Sequence, residues 1–534
     1  MINYWWVTRP KRKLNSVPDV LAVFSQEALN QVWDGQRGSH LSLEDALEKS
    51  GLKRIGDRRD HTGGGGRTYK AWLKSLGLIF NRNGNKQLCL TLAGEAIMNG
   101  ESPVKILTNQ VLKYQFPSSF SIGRGVQLNP RFKIHPFWFL LKLLSDSRID
   151  SLSTEEIAKI VITEAENESD KCYEYIVRRI CQFRETGDRC LGADFFKLYS
   201  SSKGAVNPDH PYSHLIDVAN TIINWLEYTQ LICRDNSRIA ILDDEKKYVQ
   251  KIVGTSIPFI PRPIDEEFFQ RRYGLDPNHL KDTRNLNKTQ TITAELIAEH
   301  QVKQAYIGLS LKQPICHITS AIVDTISEST GIKESMVEAI LQKNYPHGSI
   351  GSFLSSYFEM AFKGREECRD FEIATTNIFS DVFGFRATHI AGGAKEVPDV
   401  LLVSNPRCNY QAIIDTKAYN RYDLGATHRD RMIYHYIPDI HKYGDPDRPL
   451  AFFTYVAGGF SPTIDTPLNK IVTSTGTNGS AITVSTIIKM VEQNDKLPYT
   501  HGDLRNIFSV NRKVLLSDII SNSCQSCVAE DSLV

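Results

Sequence analysis

The chain has 534 residues and a net charge of +2, and 41% of its residues are hydrophobic. This composition is typical of a folded protein with roughly three or four domains, and so small a charge neither indicates nor excludes a nucleic-acid partner. The ten cysteines show no disulfide framework, and the pair Cys524/Cys527 lacks a second pair at zinc spacing, so we expect a reducing cytoplasm and no zinc. The first residues lack the apolar core of a signal peptide, and the longest apolar run, PFWFLLKLL, is too short to span a bilayer.

The first recognisable unit is RTYKAWLKSLGLIFNRNGNKQLCLTLAGEAIM, residues 67–98. Ala71, Leu73 and Leu76 predict a short helix that ends at Gly77, and NRNGNK is a hairpin turn signal between two β-like pieces. A further helix follows. The order helix, hairpin, helix is typical of a winged helix-turn-helix.

A second copy of this order occupies residues 219–253, where Trp225 and Leu226 correspond to Trp72 and Leu73. Between the two copies, SLSTEEIAKIVI predicts a helix opened by a capping box of Ser153 and Glu156, which gives a third candidate helix-turn-helix. Small helical subdomains with hairpins also serve protein contacts alone, and this alternative stays open at this point.

Basic residues around the first unit favour contact with DNA phosphates. They flank a run of four glycines, Gly63 to Gly66, whose backbone amides would approach a phosphate at a helix N-terminus. The alternative is a solvated basic loop. The predicted DNA-binding residues are Arg9, Lys11, Arg12, Lys13, Arg58, Arg59, Arg67 and Lys70.

The segment with the clearest chemistry lies between residues 368 and 420. Phe371, Thr375 and Val382 recur at helical spacing, and the helix carries Glu372 on its first turns and ends at Gly384. The strand DVLLV, the turn SNPRCN and the strand YQAIIDTKAY follow.

A turn centred on Arg407 pairs residues whose numbers add to 814, which places Asp399 opposite Asp415. A slip of one residue would send one carboxylate to the other face of the sheet. Asp415 and Lys417 share a face in any register, because side chains alternate along a strand.

Two carboxylates and a lysine suit phosphodiester hydrolysis. The reaction needs a divalent cation held by hard oxygen ligands and a positive charge near the attacking water. The alternative is a surface salt bridge with Lys417, but the apolar run before Asp415 predicts a buried strand and favours a functional site.

The order of Glu372, Pro398-Asp399 and Asp415-Thr416-Lys417 resembles the PD-(D/E)XK nuclease pattern. The surrounding sequence is similar to the cleavage domain of FokI-type type IIS restriction enzymes. As in those enzymes, a glycine pair, Gly392-Gly393, precedes Pro398, and Ala418-Tyr419 follow the lysine. The opening NYWWVTRPKRKLNSVP and the winged units resemble the AlwI-like type IIS family.

The resemblance implies that Asp399 and Asp415 bind Mg²⁺ together with the Thr416 carbonyl, that Glu372 is an outer ligand, and that Lys417 assists the water. It also implies transient pairing of two cleavage domains through an acid and a base one helical turn apart. Here Asp430 stands at the acid position and Tyr434 at the base position, so Arg429 or Arg431 would substitute. A companion DNA methyltransferase and a prokaryotic cytoplasm are further expectations.

The predicted fold is an α+β multidomain protein. It comprises winged-helix-type DNA-recognition modules over 1–253, a linker and docking segment over 254–334, and an α/β/α PD-(D/E)XK nuclease domain with a mixed central sheet and a disordered tail over 335–534. The predicted function is a type IIS restriction endonuclease that recognises a short asymmetric DNA sequence and cuts at a fixed distance outside it. The alternatives are a strand-specific nicking or repair nuclease and a winged-helix regulator without nuclease activity.

Overall fold

The computed structural model describes residues 2–54, 62–82, 86–118, 127–200, 211–235, 237–262, 265–274, 282–284, 294–346, 348–362, 368–390, 397–419, 421–494 and 496–519. The chain divides into two compact units, Met1–Leu309 with Ile318–Ser352 and Ser310–His317 with Phe353–Val534. The domain limits expected near residues 254 and 335 stay predictions. No helix within the described ranges is long and apolar enough to cross a membrane.

The first unit is mostly helical. Its helices are α1 Val17–Ala28, α2 Arg37–Lys49, α3 Gly64–Ser75, α4 Leu92–Met98, α5 Pro103–Leu112, α6 Pro136–Leu144, α7 Thr154–Glu156, α8 Ile162–Glu164, α9 Asp170–Thr186, α10 Phe195–Leu198, α11 Ser213–Tyr228, α12 Lys246–Val253, α13 Glu266–Tyr273, α14 Ala294–Ser310, α15 Ser320–Thr330 and α16 Glu334–Asn344. Its strands are β1 Ile79–Asn81, β2 Leu88–Leu90, β3 Ser151–Ser153, β4 Ile232–Asp235 and β5 Arg238–Ile241.

The predicted order of helix, hairpin and helix is confirmed in both copies. Helix α3 leads into the antiparallel pair β1–β2 and then α4, and α11 leads into β4–β5 and then α12. In both copies a left-handed residue lies two positions after the last residue of the first helix, Gly77 at φ 69° and Gln230 at φ 62°. The two copies therefore have the same order of elements and the same kind of helix end. That they are winged helices stays a prediction.

The capping box predicted at Ser153 is confirmed, because its hydroxyl accepts from the Glu156 amide and the Glu156 carboxylate accepts from the Ser153 amide. The segment around Ser153 is not a separate helix-turn-helix unit as predicted. Strand β3 pairs with β5 in a sheet of order β3-β5-β4, so the third candidate unit and the second copy share one sheet. Ser153 and Arg238 are paired across more than 80 residues of sequence, a contact that no local pattern signals.

The glycine run forms the N-cap and the first turn of α3, and it permits close helix packing. The Gly66 amide donates to Glu44 Oε1 of α2 at 3.0 Å, so a carboxylate of the chain itself lies at the helix N-terminus where the sequence predicted a phosphate. A Cβ atom on Gly66 would lie 2.6 Å from the backbone oxygen of His40, and one on Gly65 would lie 2.8 Å from the Glu44 carboxyl group. Only glycine permits α2 and α3 to approach this closely.

The second unit is a sheet between helices. Its helices are α17 Gly351–Met360, α18 Cys368–Asn377, α19 Ala426–Arg431, α20 Ile440–Tyr443, α21 Asp465–Thr475, α22 Val484–Asn494 and α23 His501–Phe508, with π-helical turns at Ile378–Val382 and Met432–Tyr436. Its strands are β6 Arg386–His389, β7 Val400–Val403, β8 Gln411–Lys417, β9 Leu450–Ala457 and β10 Asn478–Thr483.

The predicted mixed sheet is confirmed. The strand order is β10-β9-β8-β7-β6, with β8, β9 and β10 parallel and with β6, β7 and β8 antiparallel. Ile413 and Phe453 pack on one face with Leu468 of α21, and Phe452 stacks on Phe508 of α23 at 5.3 Å. Helices therefore cover both faces of the sheet.

We expect Gly66→Ala to destabilise the first unit by about 1–3 kcal/mol, because the added methyl group meets the His40 backbone rather than a movable side chain. The measurement is the urea midpoint followed by fluorescence of the buried tryptophans. The matched control is Gly38→Ala in α2, where no atom lies within 4 Å of the added Cβ, and it should be neutral or slightly stabilising. Equal midpoints for the two variants would refute this role of the glycines.

Candidate active site

The register predicted for the hairpin is confirmed. Val400 pairs with Ile414 and Val403 with Gln411, so paired residue numbers add to 814. Asp399 directly precedes β7, and its Oδ2 accepts from both the amide and the hydroxyl of Thr416, at 2.6 and 2.9 Å. The two ends of the hairpin strands are thus joined by a side chain as well as by the sheet.

Asp415 and Lys417 lie on one face of β8, as predicted. Lys417 Nζ is 2.7 Å from Asp415 Oδ2 and donates to the Thr416 carbonyl at 3.0 Å. The Asp415 side chain is 3% exposed and that of Lys417 14%. The ion pair therefore exists, but it is a buried pair and not the surface salt bridge of the alternative interpretation.

The position of β8 explains this burial. It is the central strand of five, and Ala412, Ile413 and Ile414 have no exposed surface. The polar residues Asp415, Thr416 and Lys417 are the last three residues of the strand. Charges taken out of water at such a position require partners, which Lys417 and the Thr416 donors supply.

The electrostatics of Asp399 are unusual. Burial and then the nearby charge of Asp415 raise the pKa of Asp399 to about 7, against an opposing effect of Lys417. Burial by itself would lower the pKa of Lys417, but the charges of Asp415 and Asp399 outweigh it, and the pKa of Lys417 lies above its usual value. Two carboxylates therefore lie close to one ammonium group in a largely buried site.

Glu372 on α18 lies in the same cleft. Its Oε2 is 2.8 Å from Nε2 of His389 on β6. A cleft of about 270 Å³ is lined by Cys368, Glu372, Asp399, Thr416, Lys417, Ala418, Tyr419 and His428. The structure thus brings together all of the predicted catalytic and metal-binding residues, with Asp415 buried behind them.

His428 is a cleft residue that the sequence analysis missed. It lies on α19, and its Nδ1 is 2.8 Å from the hydroxyl of Tyr422. The segment between Tyr419 and His428 has no periodicity that would have pointed to it, so only the packing of α19 reveals its position.

The oxygen atoms of the cleft fit a hard divalent cation. The carboxylates of Asp399 and Asp415 and the carbonyl of Thr416 are the ligand types that Mg²⁺ prefers. Over the described ranges no group of three or more His, Cys, Asp and Glu side chains is arranged to hold a metal ion. A cation bound by two of these carboxylates would therefore also use the backbone carbonyl.

The predicted DNA-binding residues differ in their surroundings. Arg12 pairs with Asp217 at 2.9 Å, and Arg9 lies 5.0 Å above the Trp6 ring. Lys11 is half-buried, while Lys13 is exposed. Arg58 and Arg59 lie outside the described residues.

The basic residues of α3 also differ from each other. Arg67 is exposed and donates to the Thr62 carbonyl at 2.7 Å. Lys70 is buried, bonds to Asp34, and has its pKa lowered to about 8, mainly by burial. Arg67 is thus presented to solvent, whereas the Lys70 ammonium is held inside the unit.

The predicted pairing residues lie on α19 and the π-helical turn after it. The Asp430 side chain is 47% exposed and bonds to Arg429 of the same helix at 3.0 Å. Arg431 is half-buried and Tyr434 is 68% exposed. The glycine pair Gly392-Gly393 and the tail with Cys524 and Cys527 lie outside the described residues.

We expect the stability of Asp399→Asn relative to the native chain to depend on pH in the absence of divalent cations. The pKa of Asp399 is raised from 3.8 to about 7 in the folded chain, so ionising it costs stability as pH rises through this range. The difference in melting temperature, variant minus native, should increase from about pH 4 to about pH 7 and stay level above. A difference that is constant from pH 4 to 8 would contradict the raised pKa.

Comparisons with known proteins agree with the sequence resemblance. The model of the AlwI restriction endonuclease family matches residues 74–345, and the model of the FokI cleavage domain matches residues 331–515. Type II restriction enzyme StsI from Streptococcus sanguinis is 30% identical over 128 residues, which is 22% of this chain and only 20% of that enzyme.

Two solved structures are similar at low scores. Restriction endonuclease FokI shares 15% identity, with coverage of 96% of this chain and 100% of that chain and a TM-score of 0.28. The BpuJ1 endonuclease binding domain in complex with modified DNA shares 14% identity, with coverage of 56% and 92% and a TM-score of 0.31. These scores carry no weight for the fold. Because the AlwI model matches half of the sequence, the chain belongs to the AlwI restriction endonuclease family.

Proposed function

We propose that this chain is a type IIS restriction endonuclease that recognises a short asymmetric double-stranded DNA sequence and hydrolyses phosphodiester bonds at a fixed distance outside it with Mg²⁺. The observation that carries the proposal is the buried group of Asp399, Asp415 and Lys417 at the ends of β7 and β8, inside the region that matches the FokI cleavage domain. The two matching family models and the relative StsI, all restriction endonucleases by name, support the same substrate class.

The residues of the cleft would have different roles in metal binding and hydrolysis. Asp399, Asp415 and the Thr416 carbonyl would hold Mg²⁺, and Glu372 would support them from the cleft wall. When bound, Mg²⁺ supplies a hard Lewis acid that makes water more acidic and offsets the charge of the phosphate. The two Thr416 donors fix the orientation of Asp399, since they occupy its Oδ2.

Lys417 would act as a positive charge and not as a base. Its pKa is raised, so its ammonium group stays protonated at neutral pH. A protonated lysine orients the attacking water through its N–H groups and stabilises the negative charge that develops on the phosphate.

Recognition would belong to the first unit. The two helix–hairpin–helix units support winged-helix modules, whose helices would read base edges in the major groove. Arg9, Lys11, Arg12, Lys13, Arg58, Arg59, Arg67 and Lys70 are the proposed contacts to the DNA backbone. Of the residues described in this set, Arg12, Lys13 and Arg67 are exposed, whereas Lys70 would have to leave Asp34.

We expect Asp415→Ala and Lys417→Ala each to reduce plasmid cleavage by about 10³-fold or more, because each removes several kcal/mol of charge stabilisation. Chelation of Mg²⁺ should abolish cleavage in the native chain. DNA binding should persist in all three cases, since the first unit would provide it. Asp447→Ala, at an exposed loop position, is the control and should cut normally.

The same digestion separates the alternatives. Digestion of a sequenced plasmid followed by run-off sequencing of the ends should give linear product and cuts on both strands at fixed offsets from one short sequence. Open circles without linear product would identify a nicking or repair enzyme. An Asp415→Ala variant that keeps every effect of the native chain on DNA would identify a regulator.

We also propose that two cleavage domains pair transiently on DNA through Asp430 and Arg431. The partial exposure of Asp430 and the exposed Tyr434 nearby support a contact surface here. Asp430→Ala should lower the rate of double-strand cleavage about tenfold at low enzyme concentration, and a higher concentration should restore much of it by mass action. An unchanged rate at every concentration would contradict the pairing. The companion methyltransferase remains an expectation of the same proposal.

A further inference from the structure

His428 lies in the cleavage cleft without belonging to the predicted catalytic set. It lines the cleft together with Asp399, Thr416 and Lys417. It is close enough to Lys417 and Asp415 for their charges to affect its ring. Its side chain is half-buried, so it is accessible to a ligand that enters the cleft.

Tyr422 fixes the orientation of the His428 ring. The distance between the Tyr422 hydroxyl and His428 Nδ1 is 2.8 Å. Tyr422 is itself held in place, because it is 4% exposed and its ring packs against Tyr455 and Phe460, with centroids 6.0 and 6.2 Å away. A rigid aromatic group therefore supports one side of the imidazole.

The direction of this hydrogen bond determines which ring nitrogen carries the proton. Burial raises the pKa of Tyr422, so its hydroxyl keeps its proton and has it to donate. His428 Nδ1 is the acceptor that the described residues provide. If Nδ1 accepts, the proton of a neutral imidazole resides on Nε2.

The backbone of His428 is supported as well. The buried Tyr455 hydroxyl donates to its carbonyl oxygen at 3.4 Å. Tyr455 lies on β9 next to Asp415 of β8, because the two residues are paired in the sheet. The histidine is thus positioned relative to the same strand that carries Asp415 and Lys417.

We propose that His428 Nε2–H donates a hydrogen bond to a non-bridging oxygen of the DNA phosphodiester in the cleft, with Tyr422 as the residue that fixes its tautomer. This inference rests on the proposed nuclease function and adds a substrate-contacting residue to it. The bond would stabilise the negative charge that grows on the phosphate during hydrolysis, as a fixed donor does in other phosphoryl and acyl transfers.

The role of His428 is that of a donor and not of an acid. Burial and the charge of Lys417 lower the pKa of His428, so its ring is neutral at neutral pH. No proton leaves Nε2 in the proposed contact. The ring acts only through the direction and polarity of one N–H group.

The test compares single-turnover cleavage of a plasmid by native chain and variants, with Mg²⁺ and saturating enzyme. His428→Ala should reduce the rate about 100-fold, the usual effect of losing one fixed donor. His428→Gln should stay within about tenfold of the native rate, because its amide nitrogen takes the place of Nε2. His428→Asn should fall with His428→Ala, because its amide reaches only the position of Nδ1.

Three further measurements distinguish a lost substrate contact from a general loss of structure. His441→Ala replaces an exposed histidine of the same unit and should cut at the native rate. Tyr422→Phe should give an intermediate loss, because the ring stays but the tautomer is released. DNA affinity in chelator and melting temperatures should match the native chain for the Gln and Asn variants, which separates a lost contact from a lost fold.

Each result decides between distinct conclusions. If the native chain leaves the plasmid intact, the proposed nuclease function is wrong and this inference falls with it. If the native chain cuts and His428→Ala cuts equally fast, only the inference is wrong. Equal losses in the Gln and Asn variants would assign His428 a purely structural role and would also overturn it.

Discussion

The second unit depends on one electrostatic arrangement, in which the carboxylates of Asp399 and Asp415 lie together at the end of a buried strand. Two like charges in a largely buried site repel each other, and each also loses hydration. Lys417 pairs with Asp415, and the two donors of Thr416 bind Asp399. The raised pKa of Asp399 shows that these partners offset the cost only in part. A divalent cation would complete the compensation.

The sheet supplies the geometry that this arrangement needs. Strand β8 is the point at which the sheet changes from antiparallel to parallel pairing, with β7 on one side and β9 on the other. Buried aliphatic side chains before Asp415 hold the strand between two helical layers, and the charged residues follow where the strand leaves them. Helix α18 brings Glu372 to the same cleft, and α19 brings His428. The polar groups of the cleft are therefore carried by elements whose positions the core fixes.

In the first unit, a segment whose sequence suggests a phosphate-binding site binds a carboxylate of the chain itself. A glycine run before a helix, with basic residues nearby, is a reasonable pattern for phosphate binding. Here Glu44 accepts from the Gly66 amide, and Lys53 neutralises Glu44 at 2.6 Å. Lys70 is similarly engaged by Asp34. The glycines thus serve the close approach of α2 and α3, and an internal carboxylate takes the role that the sequence had assigned to an external anion.

Much of the second unit could be predicted from the sequence, because its signals are local. The helical spacing around Phe371, the turn at Arg407 and the alternation from Asp415 to Lys417 predicted the helix, the register and the shared face. The capping box at Ser153 and the repeated helix–hairpin–helix order were equally local. By contrast, tertiary structure decided four contacts that no local pattern signals. They are the Glu44–Gly66 bond, the Lys70–Asp34 pair, the pairing of β3 with β5 and the Tyr422–His428 bond. Periodicity and turn chemistry act over a few residues and are written in the sequence, whereas these contacts depend on which surfaces of separate elements pack together.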